Sequence, residues 1–132
     1  MKVRSICLQS EGLKLAGELY IPPGNRAYPA LCICHGIPAT PYNPEDRGYA
    51  SLARRFCSAG FITLIFNFRG TGRGEGNFDI LGWSRDLQAA LNFLFGLEET
   101  DKRRLCLLGF SGGATVGVYT ASHDPRVSAL AA

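Results

Sequence analysis

The sequence predicts an α/β fold with a mostly parallel sheet. Three observations carry that expectation. Short, almost continuously apolar runs recur at residues 30–34, 61–68 and 105–109, as expected of strands buried on both faces. Segments with apolar residues at helical spacing separate them. Glycines and prolines punctuate the junctions. The chain has 132 residues, 46% hydrophobic and 19% charged, which fits a single folded domain and not a disordered chain.

Taken in order, residues 3–9 and Leu13–Ile21 read as two strands joined by a tight turn at Glu11 and Gly12. This pair adds an antiparallel edge. Pro22-Pro23-Gly24-Asn25 breaks the chain before the first buried strand, 30–34. A loop follows from His35 to Arg47, holding Pro38, Pro41 and Pro44. Tyr49, Leu52, Ala53 and Phe56 then recur at helical spacing, and Gly60 is a natural stop. The run 61–68 is β-branched and aromatic, as a central parallel strand requires. The loop 69–77 contains Gly70, Gly72, Gly74 and Gly76. Trp83, Leu87, Ala90, Leu91 and Leu94 define a second amphipathic helix. After the strand 105–109, residues 112–122 suit a third helix, which Asp124-Pro125 ends. Residues 127–132 begin another strand. Helices alternating with parallel strands are expected to cover both faces of the sheet.

Composition excludes several function classes. Net charge is +3, and basic residues cluster only at Arg54-Arg55 and Lys102–Arg104, so nucleic acid is not an expected partner. No apolar run reaches 18 residues, so no membrane-spanning helix is expected. The first twelve residues show no secretory signal. The five cysteines (Cys7, Cys32, Cys34, Cys57 and Cys106) form no C-x-x-C pair, and only His35 and His123 could join them around a metal. Cys32, Cys34 and Cys106 lie inside apolar runs, where cysteine behaves as a small hydrophobe. A reducing, cytoplasmic setting is expected, with no metal or cofactor.

The sharpest motif is Gly109-Phe110-Ser111-Gly112-Gly113, set between an apolar strand and a helix-compatible segment. That context suits a G-x-S-x-G nucleophile elbow. The chain must reverse sharply from strand to helix, which strains the serine backbone. Small residues two before and two after it let strand and helix approach. The hydroxyl is then presented at the carboxyl end of the sheet, over a helix N-terminus that favours negative charge. The alternative is a glycine-rich turn whose serine only caps the helix. The glycine loop 69–77 does not satisfy G-x-G-x-x-G, and no Gly-Lys-Ser/Thr follows, so it reads as a structural rim and not as a phosphate cradle. Arg69 reads as a structural hydrogen-bonding fork, with Asp86 as the candidate partner.

His35-Gly36-Ile37-Pro38 follows the strand 30–34. Together with the elbow it makes the sequence resemble the α/β-hydrolase superfamily, whose oxyanion loop follows the third strand. Asn67-Phe68-Arg69-Gly70-Thr71-Gly72, Trp83 to Leu94 and Asp124-Pro125-Arg126-Val127 extend the resemblance over nearly the whole chain. It looks most like the serine aminopeptidase, acyl-peptidase and dienelactone-hydrolase-like branch, with serine in place of the last group's cysteine. The resemblance implies Ser111 as nucleophile and the backbone N–H groups of Gly112 and Ile37 as the oxyanion hole. Pro38 has no N–H and cannot serve. His35 and Gly36 are the expected substrate-side oxyanion loop. The implied substrate is a small-molecule or peptide acyl compound, attacked to give an acyl-enzyme.

A serine hydrolase also needs a base and an acid to orient it, in the order serine, acid, histidine. The 21 residues after Ser111 hold one Asp and one His, adjacent and in the wrong order. A helix over 112–122 would carry His123 roughly 16–18 Å from Ser111. His35 is at the right end of the sheet, but in the family it shapes the oxyanion loop. Asp79 and Glu75 precede the serine. The expectation is therefore a single, incomplete hydrolase domain over residues 1–132, with the triad acid and histidine not in this chain and the sixth strand only begun. An apolar edge left open there invites pairing, including with a second copy of the chain. The alternative to an enzyme is a non-catalytic half-fold that pairs with another chain.

Overall fold

The computed structural model describes residues 1–38 and 48–132. Pro41 and Pro44, in the expected loop after the third strand, lie outside the described residues. The strands are β1 (Lys2–Ser10), β2 (Leu13–Ile21), β3 (Tyr28–Cys34), β4 (Ile62–Phe66), β5 (Thr100–Gly109) and β6 (Val127–Ala131). The helices are α1 (Gly48–Ser58), α2 (Ile80–Gly96) and α3 (Gly112–His123).

The strands form one sheet in the order β1-β2-β4-β3-β5-β6. β1 and β2 pair antiparallel, as do β2 and β4; the remaining pairs are parallel. The expected fold class is therefore present. The β1–β2 turn has two residues, Glu11 and Gly12, with φ of 50° and 80°. This is the mirror-type turn whose twist matches that of the flanking strands.

Both faces of the sheet are covered, which is why its central strands read as unbroken apolar runs. β3 sends Leu31 and Ile33 to one face, where Ala53 and Cys57 of α1 meet them. It sends Ala30, Cys32 and Cys34 to the other, where Trp83, Leu87, Leu91 and Leu94 of α2 and Val116 of α3 pack. At the far edge β6 is half-buried or exposed along its length.

Two strand ends differ from the sequence reading. β4 stops at Phe66, although the apolar run continues to Phe68. Asn67 N–H still donates to the Ala16 carbonyl, but Phe68 turns inward and stacks on Trp83, with ring centroids 4.4 Å apart and planes 8° apart. β5 starts at Thr100, five residues earlier than the apolar run. Its first part, Asp101 to Arg104, is charged and mostly exposed, so no apolar signal marks it.

The chain runs from β3 through α1 to β4 on one side, then through α2 to β5 on the other. The direction of winding reverses at β3. In open α/β sheets the crevice beyond the carboxyl ends of the strands at such a reversal is where ligands bind. Cys34 is in register with Gly109, so the connections leaving β3 and β5 emerge side by side.

Candidate active site

Ser111 sits between β5 and α3 with φ 52° and ψ −118°. A non-glycine residue with positive φ is costly, and such strain gathers at functional turns. The serine side chain makes no capping hydrogen bond to α3, unlike a serine that only caps the helix. Its carbonyl accepts from Thr115 N–H at 3.1 Å, and the residue is exposed. The turn is tight because the flanking glycines permit it. A Cβ on Gly109 would lie 2.6 Å from the Ala114 Cα, and one on Gly113 would run into the Cys34 and His35 carbonyl oxygens. The elbow is thus pressed against the end of β3, and Phe110 N–H donates to the Cys34 carbonyl at 3.1 Å.

The loop after β3 lies against this turn. A Cβ built on Gly36 would be 3.2 Å from the Ser111 Cβ, and one on Gly112 would be 3.6 Å from the Ile37 backbone nitrogen. The sequence-predicted residues Gly36, Ile37, Ser111 and Gly112 therefore come together. Gly112 is the first residue of α3, so its N–H has no acceptor within the helix. The Ile37 N–H has no protein acceptor among the described residues. Apolar side chains rim the spot: Ile37 is 54% exposed and Phe110 40%. The Tyr49 ring meets the Phe110 ring edge-on at 5.7 Å.

His35 is turned into the protein. It is only 8% exposed, and both ring nitrogens are engaged inside the protein. Nε2 accepts from the Phe68 N–H at 3.1 Å, which leaves the proton on Nδ1, 2.7 Å from the Gly36 carbonyl oxygen. The Thr71 hydroxyl lies 3.2 Å from Nε2 and donates to the Phe68 carbonyl. Phe68 and Trp83 meet the imidazole edge-on at 5.1 and 5.3 Å. Burial pushes its pKa below the usual histidine value, against the opposing pull of the Gly36 carbonyl. The ring thus lies behind the Gly36–Ile37 backbone, which packs against Ser111 and Gly112. Thr71 and Phe68 are partners that sequence reasoning did not single out; no spacing rule marks a threonine inside a glycine loop.

The other polar residues hold the frame. Arg69 donates to Asp86 from its backbone N–H at 2.9 Å, from Nε at 3.1 Å and from Nη2 at 2.8 Å, which is the expected fork. Asp79 caps α2 by accepting from Leu81 N–H. Glu75 Oε1 accepts from Lys14 N–H at 2.9 Å. Gly70 N–H donates to the Glu75 carbonyl, so the glycine loop closes on itself. His123 is exposed at the far end of α3, on Ser122 and the Tyr119 carbonyl. Among the described residues no three potential metal ligands cluster, and the cysteines are free. A large open groove at the opposite end of the sheet, between Pro22–Arg26 and Glu98–Glu99, presents no candidate nucleophile.

Comparison with known proteins decides the family. The family model described as "alpha/beta hydrolase fold" matches residues 29–132. The chain belongs to the α/β-hydrolase family. The quorum-quenching protein AidA of Acinetobacter baumannii is 29% identical over 125 residues, 92% of this α/β-hydrolase chain and 40% of AidA. The α/β hydrolase GrgF of Penicillium superposes with a TM-score of 0.85 at 23% identity, over 98% of this chain and 45% of GrgF. An α/β serine hydrolase without a lid from Xanthomonas campestris gives a TM-score of 0.76 at 25% identity, over 93% of this chain and 57% of that one. The chain thus spans about 40% of the length of AidA. No helix among the described residues is long and apolar enough to cross a membrane.

Proposed function

We propose that this α/β-hydrolase chain carries the nucleophile and the oxyanion-stabilising half of a serine hydrolase acting on ester or peptide bonds. The single observation that carries the reading is the exposed Ser111 at φ 52°, with the Gly36–Ile37 backbone packed against it. In the step envisaged, Ser111 Oγ attacks the acyl carbonyl carbon while its proton passes to a base. The carbonyl π pair moves onto oxygen, and the N–H groups of Ile37 and Gly112 donate to that oxyanion. Collapse expels the protonated leaving group and leaves the acyl on Ser111; water then releases it. Each such donor is worth about 3 kcal/mol in other enzymes. The exposed apolar rim of Ile37 and Phe110 suits the carbon chain of an acyl group. The serine-hydrolase name of the Xanthomonas relative agrees with the reading.

Neither histidine can act as base from its present place: His35 is committed on both nitrogens, and His123 is a full helix away, about 18 Å. On this reading neither histidine of the chain is the base as placed. That observation supports a second reading: a non-catalytic half that pairs with another chain. A fluorophosphonate probe separates the two. The serine-hydrolase reading expects covalent labelling that is lost in Ser111→Ala. A folded protein whose Ser111 stays unlabelled, alone and with any partner co-purified with it, would overturn it.

A further inference from the structure

Tyr49 stands in the first turn of α1, four residues before Ala53, which is buried against Leu31 and Ile33 of β3. Residues four apart share one face of a helix. The face of α1 that packs on the sheet therefore carries the Tyr49 ring just past the carboxyl ends of the strands. There it meets the two residues that directly follow β3 and β5. Its ring centroid lies 6.3 Å from that of His35 and 5.7 Å from that of Phe110. Cys34 and Gly109 are paired at those strand ends, so the ring bridges the start of the loop after β3 and the start of the elbow.

Ile37 flanks the same spot from the other face of the sheet. Its Cγ1 and Cδ1 lie 3.1 and 3.4 Å from the position a Gly112 Cβ would take, over the first turn of α3. That helix packs its Val116 on the face opposite α1. Between the two sides lie Ser111 and two glycines, Gly36 and Gly112, which put no side chain in the way. Ile37, Phe110 and Tyr49 are all exposed, and none is a cation or a carboxylate. Apolar surface grouped around one spot and left open to water marks a place that a ligand covers.

We propose that Tyr49 is a specificity-determining residue: with Phe110 it forms the aromatic wall of a slot, faced by Ile37, that holds the carbon chain of an uncharged acyl group while its carbonyl meets Ser111. The substrate class is an ester or amide of an apolar acyl group longer than acetyl. Phe110 adjoins Ser111, and Tyr49 stands one ring further out. An acetyl group ends before it reaches the Tyr49 ring, whereas a hexanoyl chain lies along it. An acyl group that ends in a carboxylate would press its charge against three apolar walls with no cation among them, so it is disfavoured.

The use made of the slot rests on the serine-hydrolase reading above; its hold on a carbon chain does not. The test compares two fluorophosphonates, one with methyl and one with hexyl on phosphorus, on the intact chain together with any partner that co-purifies. The hexyl probe should label Ser111 at least about tenfold faster. In Tyr49→Ala that ratio should shrink to about twofold, while Tyr49→Phe, which keeps the ring, should preserve it. Tyr119→Ala, which removes another exposed tyrosine further along α3, should preserve it too. Equal rates for the two probes, or a ratio that survives Tyr49→Ala, would overturn the slot and leave the acyl-enzyme reading in place. Where neither probe labels Ser111, NMR of the Ser111→Ala chain decides. Methyl hexanoate should shift the ring resonances of Tyr49 and Phe110 and the methyl resonances of Ile37, and methyl acetate at the same concentration should not. Those shifts without any labelling mean that the acyl-enzyme reading fails and the slot stands; their absence overturns the slot as well.

Discussion

Asp86 lies fully buried on α2 and takes hydrogen bonds from the backbone N–H, the Nε and the Nη2 of a single residue, Arg69. The Arg69 carbonyl in turn accepts from Trp83 Nε1 at 3.1 Å, and its guanidinium continues to Glu11 in the β1–β2 turn. The loop that carries Phe68 and Thr71 to His35 is thereby tied to two other elements.

Asp86→Ala leaves the Arg69 charge buried without its main partner. We expect a loss of about 3–5 kcal/mol, read as a lower urea midpoint. Glu11→Gln should move the midpoint far less, because that carboxylate is half exposed and screened.

Glycine positions give a contrast that burial alone would not. Gly113→Ala drives a methyl group into the Cys34 and His35 carbonyls, both backbone atoms that cannot yield. It should cost several kcal/mol or prevent folding. Gly96→Ala, at the end of α2 with nothing within 4 Å, should gain about 0.5 kcal/mol through the unfolded chain. Thermal melts of the two variants check the pair.

Ser111 holds an unfavourable backbone, and removing its Cβ relieves it. Ser111→Gly should therefore be more stable than Ser111→Ala by about 1 kcal/mol, although both lack the nucleophile. Equal melting temperatures would show that the turn is unstrained.

Asp124 accepts from the Nε, Nη2 and N–H of Arg126 and from Gln88, and the Arg126 guanidinium above all holds its pKa down, from 3.8 to about 2. A depressed carboxylate stabilises the fold above its unfolded value. That contribution is lost as pH falls from about 4 to about 2. We expect about 1–2 kcal/mol across this window, less than full linkage because Arg126 is partly open to solvent. In Asp124→Asn the same acid titration of stability should be correspondingly flatter.

Much of this architecture is legible in the sequence because burial on both faces writes itself as unbroken apolar runs. The strands around Cys32, Leu64 and Leu107 and the helix carrying Leu87 and Leu91 are of this kind. The Arg69–Asp86 fork was legible as chemistry, since two opposite charges beside apolar segments need each other. The charged start of β5, Asp101 to Arg104, left no hydrophobic signal because it lies in the register break between the Tyr28–Thr100 and Ala30–Leu105 pairs and is mostly exposed. The end of β4 was hidden for the opposite reason: Phe68 is as apolar as a strand residue, but it serves a ring stack. At the site, the motif identified Ser111 and its glycines. It could not reveal that His35 faces inward, because a histidine's partners depend on loops 33 and 36 residues away in sequence.

The reversal of winding at β3 has a dynamic consequence. The residues next to Ser111 are carried by β3 and β5, which have neighbours on both sides, while β1 and β6 form the margins. Amides of such central strands exchange with solvent only through openings close to global unfolding, whereas marginal strands fray at much lower free energy. The elbow is thus mounted on the slowest-exchanging part of the molecule. Local fraying at the β1–β2 hairpin leaves it untouched, and the torsional tension at Ser111 dissipates only when the central ladder itself comes apart.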